Sequence, residues 1–402
     1  MASPDKLIYM DYHATTPLDP QVLEAMMPYL TTHFGNAAST THVFGRKANE
    51  AVEHARQQIA DLINCSPEEI VFTSGATESN NLTIKGIAHQ YKHRGNHIIT
   101  SGVEHHAVLN TCKALEESGV EITYLPVDKY GLVDPGTLEK AITAQTILIS
   151  LIYVNGEVGT INPISEVGEI AEKYDIFFHS DAVQGIGKIE SDVDKLRLDL
   201  MSFTAHKLYG PKGIGALYIR KKHPPIRLYP LLHGGGQENN IRSGTLNIPG
   251  IVGLGMACEL CKKVMATEAK QIAALRDRLY HGLSERVDFI HINGHPDKRL
   301  PGNLNLSFEF VENQSLLTGL KDIAISSGSA CTSDSVDPSY VLRAMGIKDE
   351  LAHAAIRFGL GRYNTEKEVD EVVDRVVKQV GRLRELSPVY EMVQPESFRT
   401  GR

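Results

Sequence analysis

The chain has 402 residues, of which 42% are hydrophobic and 22% charged, and a formal net charge of −8. That length exceeds one simple core and suits two closely packed domains, while the acidic balance argues against a direct nucleic-acid-binding role. No apolar run approaches the roughly 18 residues that a membrane span needs.

The opening Met-Ala-Ser-Pro-Asp-Lys lacks the basic start and apolar core of a secretory signal. Cysteines at 65, 112, 258, 261 and 331 are few, odd in number and irregularly spaced. This fits a reducing, cytoplasmic setting better than a disulfide framework. Strands are expected at 69–73, 97–101, 122–127, 147–154, 176–179, 200–204 and 216–219, with helices such as 49–63 and 164–174 between some of them. Such alternation predicts an α/β domain with a mostly parallel sheet. Beyond about 260 the texture changes, with helices near 265–286 and 365–385 flanking a few strands, one at 305–310. The last helix is marked by the capping-box pair Thr365 and Glu368. Val369, Val372, Val373, Val376, Val380 and Leu383 then recur at helical spacing as a core stripe. We assign 16–262 to a large domain, and 1–15 with 263–402 to a smaller α+β domain.

Four stretches at expected strand ends carry chemistry. In Ser202-Phe203-Thr204-Ala205-His206-Lys207, a lysine follows a buried strand and small or hydroxyl residues. A partly desolvated lysine there has a lowered pKa and can form a Schiff base with an aldehyde cofactor. In Phe178-His179-Ser180-Asp181-Ala182-Val183-Gln184, an acid ends an apolar strand. Buried alone it is costly, but it can pair with a protonated pyridine nitrogen, and Gln184 can donate to a ring oxygen. Val71 to Asn80 reads as strand, small-residue turn and helix. Gly75, Ala76 and Thr77 there offer N–H groups and a hydroxyl to a phosphate. Glu104-His105-His106 follows another strand, and an imidazole there can stack on a ring and move protons near neutral pH. The competing metal-site reading lacks an HExxH spacing or a later carboxylate. Cys258-Glu259-Leu260-Cys261 has CxxC spacing but lies in a helical pattern with no second pair.

With these motifs in place, the sequence resembles the group I cysteine desulfurases (IscS/NifS type) among the fold-type I, aspartate aminotransferase-like pyridoxal-phosphate enzymes. The match runs from Asp11-Tyr12-His13-Ala14-Thr15-Thr16-Pro17 to Ser387-Pro388. The resemblance implies a homodimer with pyridoxal 5'-phosphate as cofactor and L-cysteine as substrate. It assigns Lys207 to the Schiff base, Asp181 to the pyridinium and His105 to stacking and proton handling. Gln184 and Asn155 fall at the ring and substrate region, and Thr77, Thr204 and His206 at the phosphate. Thr245, within Arg242-Ser243-Gly244-Thr245, is implied to reach the neighbouring subunit's phosphate. Arg357 is implied to grip the substrate carboxylate, assisted by Asn36.

The segment Ser326-Ser327-Gly328-Ser329-Ala330-Cys331-Thr332-Ser333 places one thiol among small and hydroxylated residues that bury little, so a mobile catalytic-cysteine loop is expected. This motif is specific to the group I pattern and argues against a selenocysteine lyase or group II desulfurase. By resemblance, Cys331 receives the sulfur, and an iron–sulfur scaffold protein and other sulfur acceptors are the implied partners. Where relatives often carry Asn-Asn-Glu, this chain has Asn155-Gly156-Glu157.

Overall fold

The computed structural model describes residues 7–327 and 337–393. Its strands in chain order are β1 (Ile8–Tyr9), β2 (Ile70–Thr73), β3 (His97–Ser101), β4 (Glu121–Leu125), β5 (Thr146–Ile152) and β6 (Phe177–Asp181). They continue with β7 (Leu200–Thr204), β8 (Gly215–Ile219), β9 (Ile290–Asn293), β10 (Asn303–Phe308), β11 (Ile323–Ala324) and β12 (Ala355–Gly359).

The central sheet has the order β2-β8-β7-β6-β5-β3-β4. Neighbours run parallel except at β8, which opposes both β2 and β7. Successive residues feed different cores: Phe72, Ile99, Ile149 and Ala216 enter one apolar cluster, and Val71, Ile98, Leu148 and Leu217 another. Both faces are therefore covered, and the strands read as continuous apolar runs without alternation. The fold-type I architecture with its mostly parallel sheet is as expected.

A second sheet, β12-β10-β9, is antiparallel, and β1 pairs with β11 in parallel. Their core gathers Ile8, Met10, Leu304, Phe308, Phe358 and the valines of the helix Glu366–Glu385. That helix begins with the expected capping box, Thr365 Oγ1 accepting from the Glu368 N–H and Glu368 Oε2 from the Thr365 N–H. Thr365→Ala should lower stability by about 1 kcal/mol, read as a lower urea midpoint at unchanged slope.

Two expectations are corrected in their bounds. The helix expected from 49 begins at Val43, because the His42 ring accepts from the Gly45 N–H and serves as an unusual cap. The strand expected at 305–310 is Asn303–Phe308, because Phe310 turns the chain with φ +65°. The helix Ile248–Ser284 carries the chain past residue 262 without a break. Cys258 and Cys261 are buried on it, and burial raises both thiols, Cys261 to about 11. No helix among the described residues is long and apolar enough to cross a membrane.

Candidate active site

The C-terminal ends of β2, β5, β6 and β7, with the turn after β3, open into one cavity of about 530 Å³. Crevices at the carboxyl ends of parallel strands are the usual ligand sites of such sheets. Gly75, Ala76, Thr77, His105, Asp181, Gln184, Thr204, His206 and Lys207 all line this cavity.

The turn after β2 depends on Gly75, whose φ of +157° and ψ of 173° fall in a region closed to other residues. It starts the helix Ala76–Gln90, whose first N–H groups have no intrahelical acceptor. Glu78 lines the same wall. Burial favours its neutral form, but bonds from Arg242 and Ser74 prevail and hold its carboxyl below the usual range. The Thr204 hydroxyl donates to the Ile214 carbonyl, and the His206 ring meets Thr15 Oγ1 at 3.2 Å. Burial, then the charges of Lys207, Lys212 and Lys188, lower His206 to about 4, so its ring is neutral at pH 7.

Asp181 ends β6 almost fully buried. Its Oδ2 accepts from Asn80 Nδ2 at 2.7 Å and its Oδ1 from the Val183 N–H. Among the described residues no cation pairs with it, so a buried carboxylate faces the cavity without a counter-charge. Lys207 follows β7, and its Nζ donates to the carbonyls of His13 at 2.5 Å and Ala14 at 2.6 Å. His105 caps the helix His106–Glu116, its Nδ1 accepting from the Ala107 N–H. A backbone N–H only donates, so the neutral ring carries its hydrogen on Nε2. The preceding Glu104 turns inward to Ser101 Oγ and the Ile152 N–H, and burial raises its carboxyl to about 8.

Other expected residues lie outside the cavity lining. Asn155 is tied into its own turn, donating to the Val103 carbonyl and accepting from the N–H groups of Glu157 and Val158. Its neighbour Gly156 lines the cavity instead. Arg357, on β12, binds Asp11 Oδ1 at 2.9 Å and the Gly156 carbonyl at 3.1 Å, and its buried Nε has no hydrogen-bond partner among the described residues. The guanidinium does not itself line the cavity, although it bonds Gly156, which does. Asn36 and Thr245 are exposed and apart from the cavity. Cys331 lies outside the described residues.

The sequence reading missed Asn80, Lys212 and Thr15 as part of this site. Asn80 and Thr15 fell within quoted motifs, but nothing local separated them from ordinary cap and loop residues. Lys212 had no distinguishing signal.

The donor set fits pyridoxal phosphate: an amine, a buried carboxylate with no cation partner among the described residues, an imidazole and a helix N-terminus line one cavity. Together fold and site define a pyridoxal-phosphate enzyme of the aminotransferase type. The family model described as aminotransferase class-V matches residues 8–372. The cysteine desulfurase IscS of Anaeromyxobacter dehalogenans (strain 2CP-C) is 54% identical over 387 residues, covering 96% of each chain. A solved structure titled NifS-like protein superposes with a TM-score of 0.87 at 40% identity, covering 94% of this chain and 100% of that one. Another, titled SspA in complex with cysteine, has a TM-score of 0.79 at 40% identity, covering 89% and 100%. The chain belongs to the class-V aminotransferases and, within them, to the IscS-type cysteine desulfurases.

Proposed function

We propose that this protein is a cysteine desulfurase that converts L-cysteine to L-alanine and leaves the sulfur on Cys331 as a persulfide. The observation that carries this reading is Lys207 and Asp181, which has no cation partner among the described residues, lining one cavity. The full-length similarity to cysteine desulfurases extends it to the substrate.

Bound pyridoxal phosphate supplies a carbonyl that condenses with amines and a protonated ring that stores an electron pair. Asp181 keeps the ring nitrogen protonated, because an anion buried beside it favours the charged form. The Gly75-Ala76-Thr77 turn and His206 hold the phosphate, and Thr204 packs beside them. Arg357 receives the substrate carboxylate, which a guanidinium fork can bind through two parallel charge-assisted bonds. With pyridoxal phosphate bound, Lys207 would hold its carbonyl group and would take the Cα proton, and His105 would move a proton at the substrate sulfur. The Cys331 thiolate attacks that sulfur. The carbon–sulfur bond breaks, a sulfur–sulfur bond forms, and cysteine plus the thiol become alanine plus the persulfide.

The protein acts as a homodimer in this reading. Leu23, Met27 and Leu30 are exposed on the helix Pro20–Thr31, and the stacked Phe34 and Phe44 are exposed nearby. Such apolar surface suits burial against a second copy. Thr245, exposed away from its own cavity, then serves the neighbour's phosphate, and Asn36 and Asn155 support substrate binding. Iron–sulfur scaffold proteins and other thiol acceptors take up the sulfur, and the cytoplasm is the compartment that keeps Cys331 reduced.

The test is an absorption spectrum of the purified protein, followed by L-cysteine addition with alanine and sulfide assayed under reducing conditions. A visible cofactor band that shifts with cysteine, with both products formed, supports the proposal. No band after adding pyridoxal phosphate overturns it. Arg357→Ala removes charge-assisted bonds worth about 1.5–3 kcal/mol, so kcat/KM for cysteine should fall roughly 10- to 150-fold. Unchanged kinetics would remove Arg357 from the carboxylate site.

A further inference from the structure

Gln184 has an amide whose two ends are both engaged. Its Oε1 accepts from Lys188 Nζ at 2.9 Å, and its Nε2 donates to the His13 carbonyl at 2.9 Å. An ammonium can only donate and a carbonyl can only accept, so the two bonds specify one amide orientation. The same His13 carbonyl accepts from Lys207 Nζ, which places Gln184 Nε2 on the Lys207 side of the cavity. Gly156 forms the adjacent wall, and a Cβ added there would lie 3.2 Å from Nε2. With no side chain at 156, the amide lacks a restraining neighbour on that face.

Lys188 is unusual in this setting. Gly187, with φ +70°, packs its backbone where a Cβ would meet Leu208 at 2.8 Å and Cys261 at 3.0 Å, which fixes the start of the lysine stem. Among the described residues no carboxylate pairs with Lys188. The charges of Lys207, Cys261 and Arg357 bear on its amine, and its own charge bears on His13 and His206. Burial first, then the like charges of Lys207 and Arg357, push the amine down to about 7, although part of the side chain meets solvent. An amine placed among like charges and bonded to an amide oxygen is an expensive way to fill space.

We propose that Lys188 is a positioning residue for the cofactor pocket, locking and polarising the Gln184 amide so that its N–H end stays on the Lys207 side of the cavity. The inference rests on pyridoxal phosphate joining Lys207. A positively polarised donor beside that nitrogen disfavours a second positive charge there. Loss of the donor therefore raises the pH at which the nitrogen releases its proton.

The experiment is a pH titration of the visible band in the cofactor-loaded protein, which reads the site without turnover. Lys188→Met should raise the midpoint by at least about half a pH unit, the size of a modest charge effect. Lys188→Arg, which keeps a charged donor, should restore most of the wild-type value. Gln184→Met should also raise the midpoint, and adding Lys188→Met to it should change little further. An unchanged midpoint in Lys188→Met would make Lys188 merely structural and overturn the proposal. So would a Lys188→Met shift that adds in full to that of Gln184→Met. If Lys188→Met does not fold, Lys188→Gln carries the same expected shift and the same overturning result. A wild-type protein with no band would instead overturn the cofactor reading beneath it.

Discussion

Lys207→Ala should eliminate the visible cofactor band and reduce turnover of L-cysteine by at least about 10²–10⁴-fold, the range for losing one positioned acid–base group. Lys207 stands one turn beyond β7 with its amine on the His13 and Ala14 carbonyls, in the cavity that Asp181 closes. It has two proposed duties, holding the cofactor and taking the Cα proton, so alanine removes both at once. Lys212 also lines the cavity and is the internal control. A residual band in Lys207→Ala that borohydride fixes covalently to the chain would move the cofactor linkage to Lys212. Spectra and alanine release, measured on the same sample, separate lost attachment from lost proton transfer.

Cys331→Ser should keep the band and its response to cysteine, yet lose persulfide formation by at least about 10²-fold. A hydroxyl does not ionise near neutral pH, whereas a thiolate is the competent nucleophile at sulfur. The other cysteines are poor substitutes. Burial raises Cys65 and Cys258 well above the usual thiol range, Cys112 to about 12 and Cys261 to about 11. Each of those four thiols stays protonated at pH 7. Intact-protein mass after a single exposure to cysteine reads the added sulfur directly. Sustained addition of sulfur in Cys331→Ser would reject Cys331 as the acceptor.

Much of the site was legible because its motifs are local. Gly75-Ala76-Thr77, Asp181-Ala182-Val183-Gln184 and Thr204-Ala205-His206-Lys207 each follow an apolar run that had to be a strand, and strand ends are where a parallel sheet leaves its crevice. Short-range chemistry also settled the last helix, where Thr365 and Glu368 satisfy each other's N–H groups three residues apart. Element bounds were less secure where an atypical group intervened, as with the His42 cap.

What tertiary structure alone decided is which distant groups meet. Asp11 holds Arg357 across 346 residues, and His13 offers one carbonyl to both Gln184 and Lys207 across 171 and 194 residues. Asn155, which the resemblance placed at the ring and substrate region, has its carbonyl oxygen on its own turn and its amide on the Val103 carbonyl 52 residues away. The sequence by itself determined the α/β class and the strand-end positions of the candidate residues, because these follow from residue type, apolar runs and short spacings. The partner of each polar group was decided by the fold, because a hydrogen bond depends on distance and direction in space. Those exist only once β12 and the 11–15 segment have packed against the cavity wall.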